Sequence, residues 1–150
     1  MEKTLAIAIS SDGFSLAIFE RQNPIFLEAH SHQNVPKHSD AAAGHIHRCL
    51  ERFLPAAIVL YKTREESDVC SAVVNALRIH NKPVFEIEEK AVLASFGEPP
   101  LQDKDELRQL IRILFPQIPS NNLLLCCFDA LALGLYFQTK QLLNVNALNE

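Results

Sequence analysis

No uninterrupted apolar run in this 150-residue sequence approaches the roughly 20 residues that a membrane-spanning helix needs, so no span is expected. No CxxC pair occurs either. The four cysteines stand at 49, 70, 126 and 127 in apolar surroundings, and adjacent Cys126 and Cys127 are poorly placed to share a simple zinc site. Buried reduced thiols are the expectation. A basic surplus is missing too: the formal charge is −4, which excludes a general electrostatic pull toward nucleic acid and leaves only a local basic patch. There is no internal repeat, no low-complexity tract and no aromatic-rich surface for stacking bases. The opening MEKTLAIAI has too short an apolar segment for a secretory leader and no small-residue cleavage site. It reads as a strand, and a cytoplasmic protein is expected.

Apolar residues make up 48% of the chain, enough for one packed domain over 1–150. AIAISSDGFSLAIF, residues 6–19, reads as two strands over a tight turn, with Asp12-Gly13 as the turn pair and Gly13 supplying a positive φ. PIFLEAH (24–30) gives a third strand and SHQNVPKHS a polar loop. Ser39 or Asp40 then caps a helix whose Ala42, Ile46, Leu50 and Phe53 form one apolar stripe, and Pro55 ends it. AAIVLY (56–61) is continuously apolar, as in a central strand covered on both faces.

Thr63 and Glu66 have capping-box spacing for a second helix through Val69, Val73 and Leu77. PVFEI (83–87) is expected as another buried strand, followed by a short helix over EEKAVLAS and a turn at GEPP. Asp103 with Glu106 starts a helix with Leu107, Leu110, Ile111 and Leu114 inward. Ser120 or Asn121 caps a last helix that is apolar almost all round from Leu123 to Phe137, the pattern of a buried helix. The order β-β-β-α-β-α-β-α-α-α implies a mixed sheet with helices on both faces.

That order is similar to the ribonuclease H-like fold, and the second half narrows the likeness. The run AAIVLYKTREESDVCSAVVNALRIHNKPVFEIEEKAVLASFG resembles the central strand, helix and strand of RuvC-type Holliday-junction resolvases. LQDKDELRQLIRILFP and CCFDALALGLYF resemble their next and final helices. The match is detailed over roughly residues 55–140 and holds only in outline for the first hairpins. The resemblance implies an α/β, RuvC-like domain with a mixed five-stranded sheet. It also implies four acidic positions that hold two divalent cations for phosphodiester hydrolysis.

Carried over residue by residue, that acidic set fails. Its positions fall on Ser10, Val59, Cys126 and Asp129, and only the last is a carboxylate. Magnesium and manganese require oxygen ligands, which valine lacks, and a thiol suits softer metals. No catalytic residue and no resident metal are therefore expected, and Asp129→Asn is expected to be tolerated provided the amide satisfies the same donors. The leading expectation is a catalytically inactive RuvC-like protein that binds nucleic acid or acts as a protein-interaction scaffold. The alternative is a magnesium- or manganese-dependent, structure-selective DNA endonuclease with a rearranged site drawing on Asp12, Glu65 or Glu66.

Three further signals compete. Lys62, Arg64, Lys90, Lys104, Arg108 and Arg112 are candidates for weak contact with branched or duplex DNA, although acidic residues are interspersed among them. Five of the six histidines fall between 30 and 47. His30 and His32 share a side of an extended chain, which suits a metal, whereas His45 and His47 diverge on a helix and cannot share one ion. A polar loop and an exposed helix face are the expected explanation, with zinc or nickel binding as the alternative. Resolvases of this type resemble dimers, so the helix carrying Val69, Val73 and Leu77 is either a homodimer seam or a face packed on the sheet.

Overall fold

The computed structural model describes residues 2–10, 12–31, 38–62, 68–119 and 123–148, the side chains of 38–41, 68–73 and 144–148 excepted. Three antiparallel strands come first: β1 (Lys3–Ser10), β2 (Gly13–Glu20) and β3 (Asn23–Ser31). After helix α1 (His38–Phe53), strand β4 (Ala57–Tyr61) lies parallel to β1. Helix α2 (Asp68–His80) leads to β5 (Val84–Ile87), parallel to β4. The chain ends in α3 (Glu89–Ser95), α4 (Lys104–Leu114) and α5 (Leu125–Leu148). The resulting sheet has five strands in the order β3-β2-β1-β4-β5.

Alternation along the strands divides the core into two layers. Leu5, Ile7, Phe14, Leu16 and Ile18 point to one face, where Ala42, Ile46 and Leu50 of α1 and Ala76 and Leu77 of α2 cover them. Ala6, Ala8, Ala17, Phe19 and Val59 point to the other, beneath α5 and the flanking α4. Three alanines on that second face leave little side-chain bulk between sheet and helix, so α5 packs closely on the central strands. Gly134 belongs to the same contact, since a Cβ there would run into the Phe19 ring.

Four expectations are corrected by the coordinates. The β1–β2 register pairs Ser10 with Gly13, so Gly13 begins β2 and has no positive φ. Glycine is required at 13 for proximity, because a Cβ would strike the His30 carbonyl oxygen on β3. β5 is the edge of the sheet, paired only with β4, and Val84 and Phe85 are each 41% exposed. Its apolar run reads as central although one side has no neighbouring strand. Leu114 is exposed at the end of α4, while Leu107 and Ile111 are buried as expected.

The proposed caps at Thr63 with Glu66, and at Ser120 or Asn121, lie outside the described residues. α1 begins at His38, so Ser39 and Asp40 fall within its first turn. Asp103 does cap α4, accepting from the Glu106 amide at 3.0 Å, and Glu106 in turn accepts from the Gln102 amide at 2.9 Å. Cys49, Cys126 and Cys127 are buried and unbridged, and burial pushes the Cys49 thiol up to about 12. Among the described residues no helix is long and apolar enough to cross a membrane.

Candidate functional site

The carboxyl end of β1 and the first turns of α5 meet on the α5 side of the sheet. Ser10 closes β1, and its hydroxyl donates to Asp12 Oδ1 in the adjoining turn. The second oxygen of Asp12 accepts from the Leu125 backbone amide at 2.7 Å. Asp12 therefore caps α5 from across the molecule, taking one of the free amides that open every helix. Two residue pairs further along the hairpin, the buried Ser15 hydroxyl donates to the Cys126 carbonyl at 2.7 Å. Burial pushes the Asp12 carboxyl up, but the Ser10 hydroxyl and the amides of Leu125, Asp12 and Cys126 outweigh it and hold the group below its ordinary value.

Asp129 follows one helical turn after Leu125, about 6 Å along the axis. It is only 1% exposed. Both oxygens are engaged by Arg108 of α4, Nε donating to Oδ1 at 3.0 Å and Nη2 to Oδ2 at 2.9 Å. Lys104, one turn earlier on α4, brings its ammonium to 3.9 Å from Oδ2. This forked geometry is the strong form of an arginine–carboxylate pair. The Asp129 hydrogen bonds raise the Arg108 guanidinium further above its already high value, against the opposing effect of burial.

Near the pair two cations lie over aromatic rings. The Lys104 ammonium sits 4.9 Å from the centroid of the Tyr61 ring. The Tyr61 hydroxyl is buried without a hydrogen-bond partner, and burial, then the charges of Asp129 and Glu89, push its titration up. Arg112 lies over Phe128 at 4.8 Å.

Of the four positions singled out by the resemblance, Ser10 is tied through Asp12 to the start of α5, the helix that carries Cys126 and Asp129. Val59 is fully buried on the face beneath α5, and Cys126 is fully buried in the first turn of that helix. These residues do not fit a pair of divalent cations. Val59 carries no ligand atom, and the Cys126 thiol is pushed up by the adjoining Cys127 thiol and by burial. Both carboxylates nearby already hold donors, Asp12 the helix amide and Asp129 the guanidinium.

The five described basic candidates separate into two groups. Lys104 and Arg108 face inward to Asp129, with side chains 30% and 14% exposed. They are structural partners of that carboxylate, which sequence reasoning missed. Its signal was the four-residue spacing that places both on one face of α4. Lys62, Lys90 and Arg112 are exposed, with Lys62 and Lys90 just past the carboxyl ends of β4 and β5. Arg64, Glu65, Glu66 and His32 lie outside the described residues.

The divergence of His45 and His47 holds. His45 turns to β3 and stacks on His30, whereas His47 Nδ1 meets His80 Nε2 of α2 at 2.5 Å. Leu77 is buried in the core of its own chain and is no seam residue, and the side chains of Val69 and Val73 are not described.

No protein-family model and no curated protein matches the sequence. Solved structures do match. Thermus thermophilus RuvC in complex with a Holliday junction substrate aligns over 91% of this chain and 92% of its own, with a TM-score of 0.71 and 16% identity. The yeast mitochondrial Holliday junction resolvase aligns over 95% and 82%, with a TM-score of 0.62 and 12% identity. The fowlpox virus Holliday junction resolvase aligns over 93% and 99%, with a TM-score of 0.56 and 15% identity. Strand order, helix placement and these alignments together give the chain the RuvC-type, ribonuclease H-like fold.

Proposed function

We propose that this protein is a RuvC-fold binding protein that does not cleave phosphodiesters and that contacts branched or duplex DNA through a small basic rim. The observation that carries the reading is the burial of Asp129 against Arg108. A carboxylate with both oxygens occupied by a guanidinium has its charge neutralised within the fold, so a hard cation gains little by approaching it. The cation that the neighbourhood requires is supplied by the chain itself.

Binding falls to the exposed Lys62, Lys90 and Arg112. They are few, and Glu88 and Glu89 stand beside Lys90. Contact with phosphates is therefore weak, independent of sequence and sensitive to salt. The resolvases of similar fold include two in complexes with Holliday junction DNA, which supports a four-way junction as the probe.

Purified protein is incubated with a labelled four-way junction in magnesium or manganese, and binding is followed in parallel by fluorescence anisotropy. Intact DNA with salt-sensitive binding is expected. Metal-dependent cutting that disappears in Asp129→Asn or Asp12→Asn overturns the reading and identifies a rearranged nuclease site. Intact DNA with undetectable binding at low salt overturns the DNA assignment in favour of a protein-interaction scaffold.

A further inference from the structure

On the opposite face of the sheet, three potential metal ligands converge from two elements. Glu28 and His30 stand two residues apart on β3, so both project to the same side. His45 projects toward them from α1. One ligand atom from each residue lies within 4.8 Å of the other two. Glu28 Oε1 is 3.1 Å from His30 Nε2 and 3.5 Å from His45 Nδ1. Two ligands on one tetrahedral zinc ion, at bonds of about 2.0–2.1 Å, stand about 3.3–3.5 Å apart. The observed separations bracket that edge.

We propose that Glu28, His30 and His45 form a binding site for a divalent first-row transition metal, zinc foremost, that clamps β3 to α1. Two imidazoles and one carboxylate are a donor set that zinc accepts and that magnesium does not favour. Three protein ligands leave a fourth position for solvent. The side chains of Glu28, His30 and His45 are 33%, 21% and 18% exposed, so an ion can enter.

One observation favours a ligand over a simple polar contact. His30 Nε2 is itself buried and has no hydrogen-bond partner, although Glu28 is close. An unsatisfied buried polar atom is unfavourable and calls for an explanation, which a metal bond supplies. The two imidazole rings are stacked at 3.6 Å, so one of them turns when both lone pairs meet a shared ion. Phe14 backs them, with centroids 5.1 Å from His30 and 6.0 Å from His45, forming an apolar wall on the inner side.

The state of His45 is compatible with a ligand. Arg48 donates to His45 Nδ1, which marks that nitrogen as the one carrying the lone pair. The arginine is exposed and leaves without disturbing the core. His47 and His80 form a separate pair with only two donors.

Metal-stripped protein is titrated with zinc chloride in competition with a chromophoric chelator. One tight equivalent is expected, weakened about tenfold or more in Glu28→Gln and in His30→Ala, and unchanged in His47→Ala combined with His80→Ala. Glu28 is partly exposed, so Glu28→Gln keeps the fold testable, and far-UV circular dichroism checks it. Zinc should raise the Tm of the unaltered protein and not that of Glu28→Gln. Cobalt(II) in the same site should give the intense visible bands of four-coordinate geometry. Equal zinc affinity in Glu28→Gln and the unaltered protein, or no binding at micromolar zinc, overturns the assignment.

Discussion

Asp129 and Arg108 show how one ion pair changes the meaning of a position. A carboxylate on a helix as apolar as α5 must find a partner, and Arg108 meets both its oxygens. Arg108→Ala leaves a buried charge uncompensated and should destabilise the fold by about 3–5 kcal/mol, read from urea unfolding. The condition on which Asp129→Asn would be tolerated, that the amide satisfy the same donors, is not met by this geometry. An amide offers one oxygen and turns an NH₂ group toward the guanidinium, so a clear loss of stability is expected. Replacing both residues by leucine removes the mismatch, and the double variant should be more stable than Arg108→Ala. The sequence revealed that Asp129 needed satisfying. It did not reveal the partner, because Arg108 lies 21 residues away and resembles any other cation beside a phosphate groove.

At the scale of elements, α5 organises the molecule. Its buried face, from Cys126 to Gly134, was legible as a run that is apolar but for Asp129. Its start was not legible, because Asp12 supplies a cap from a turn more than a hundred residues earlier. Removing that carboxylate in Asp12→Ala should lower stability by about 1 kcal/mol, as for other helix caps. The folded-state value of Asp12 lies below the ordinary 3.8. Its contribution is therefore fully present above pH 3.8 and lost as the pH falls through the folded value. Acid titrations of the unaltered protein and Asp12→Ala should converge at the acidic end, which comparison of their thermal midpoints checks. Leu131, buried at the centre of the helix, should cost about 2–5 kcal/mol on change to alanine.

For the whole molecule, element order and the mixed sheet were readable because each strand and helix carries its own period. The edge position of β5 was not, since an apolar run of that length looks alike with one neighbouring strand or two. Nor was the division of the basic residues, which depends on which side of α4 faces Asp129. That division sets a quantitative limit on DNA binding. Among the described candidates, Lys62, Lys90 and Arg112 are exposed, while Lys104 and Arg108 are held by Asp129. Each phosphate neutralised contributes about −0.9 to the slope of log affinity against log salt, so these residues support a slope no steeper than about −3. Lys62→Glu with Lys90→Glu should flatten it toward about −1, as two of the three contacts are lost. Anisotropy titrations across a tenfold range of salt measure both slopes. A slope near zero for the unaltered protein would contradict phosphate contact. A steep slope unaffected by those two changes would place the binding face elsewhere on the molecule.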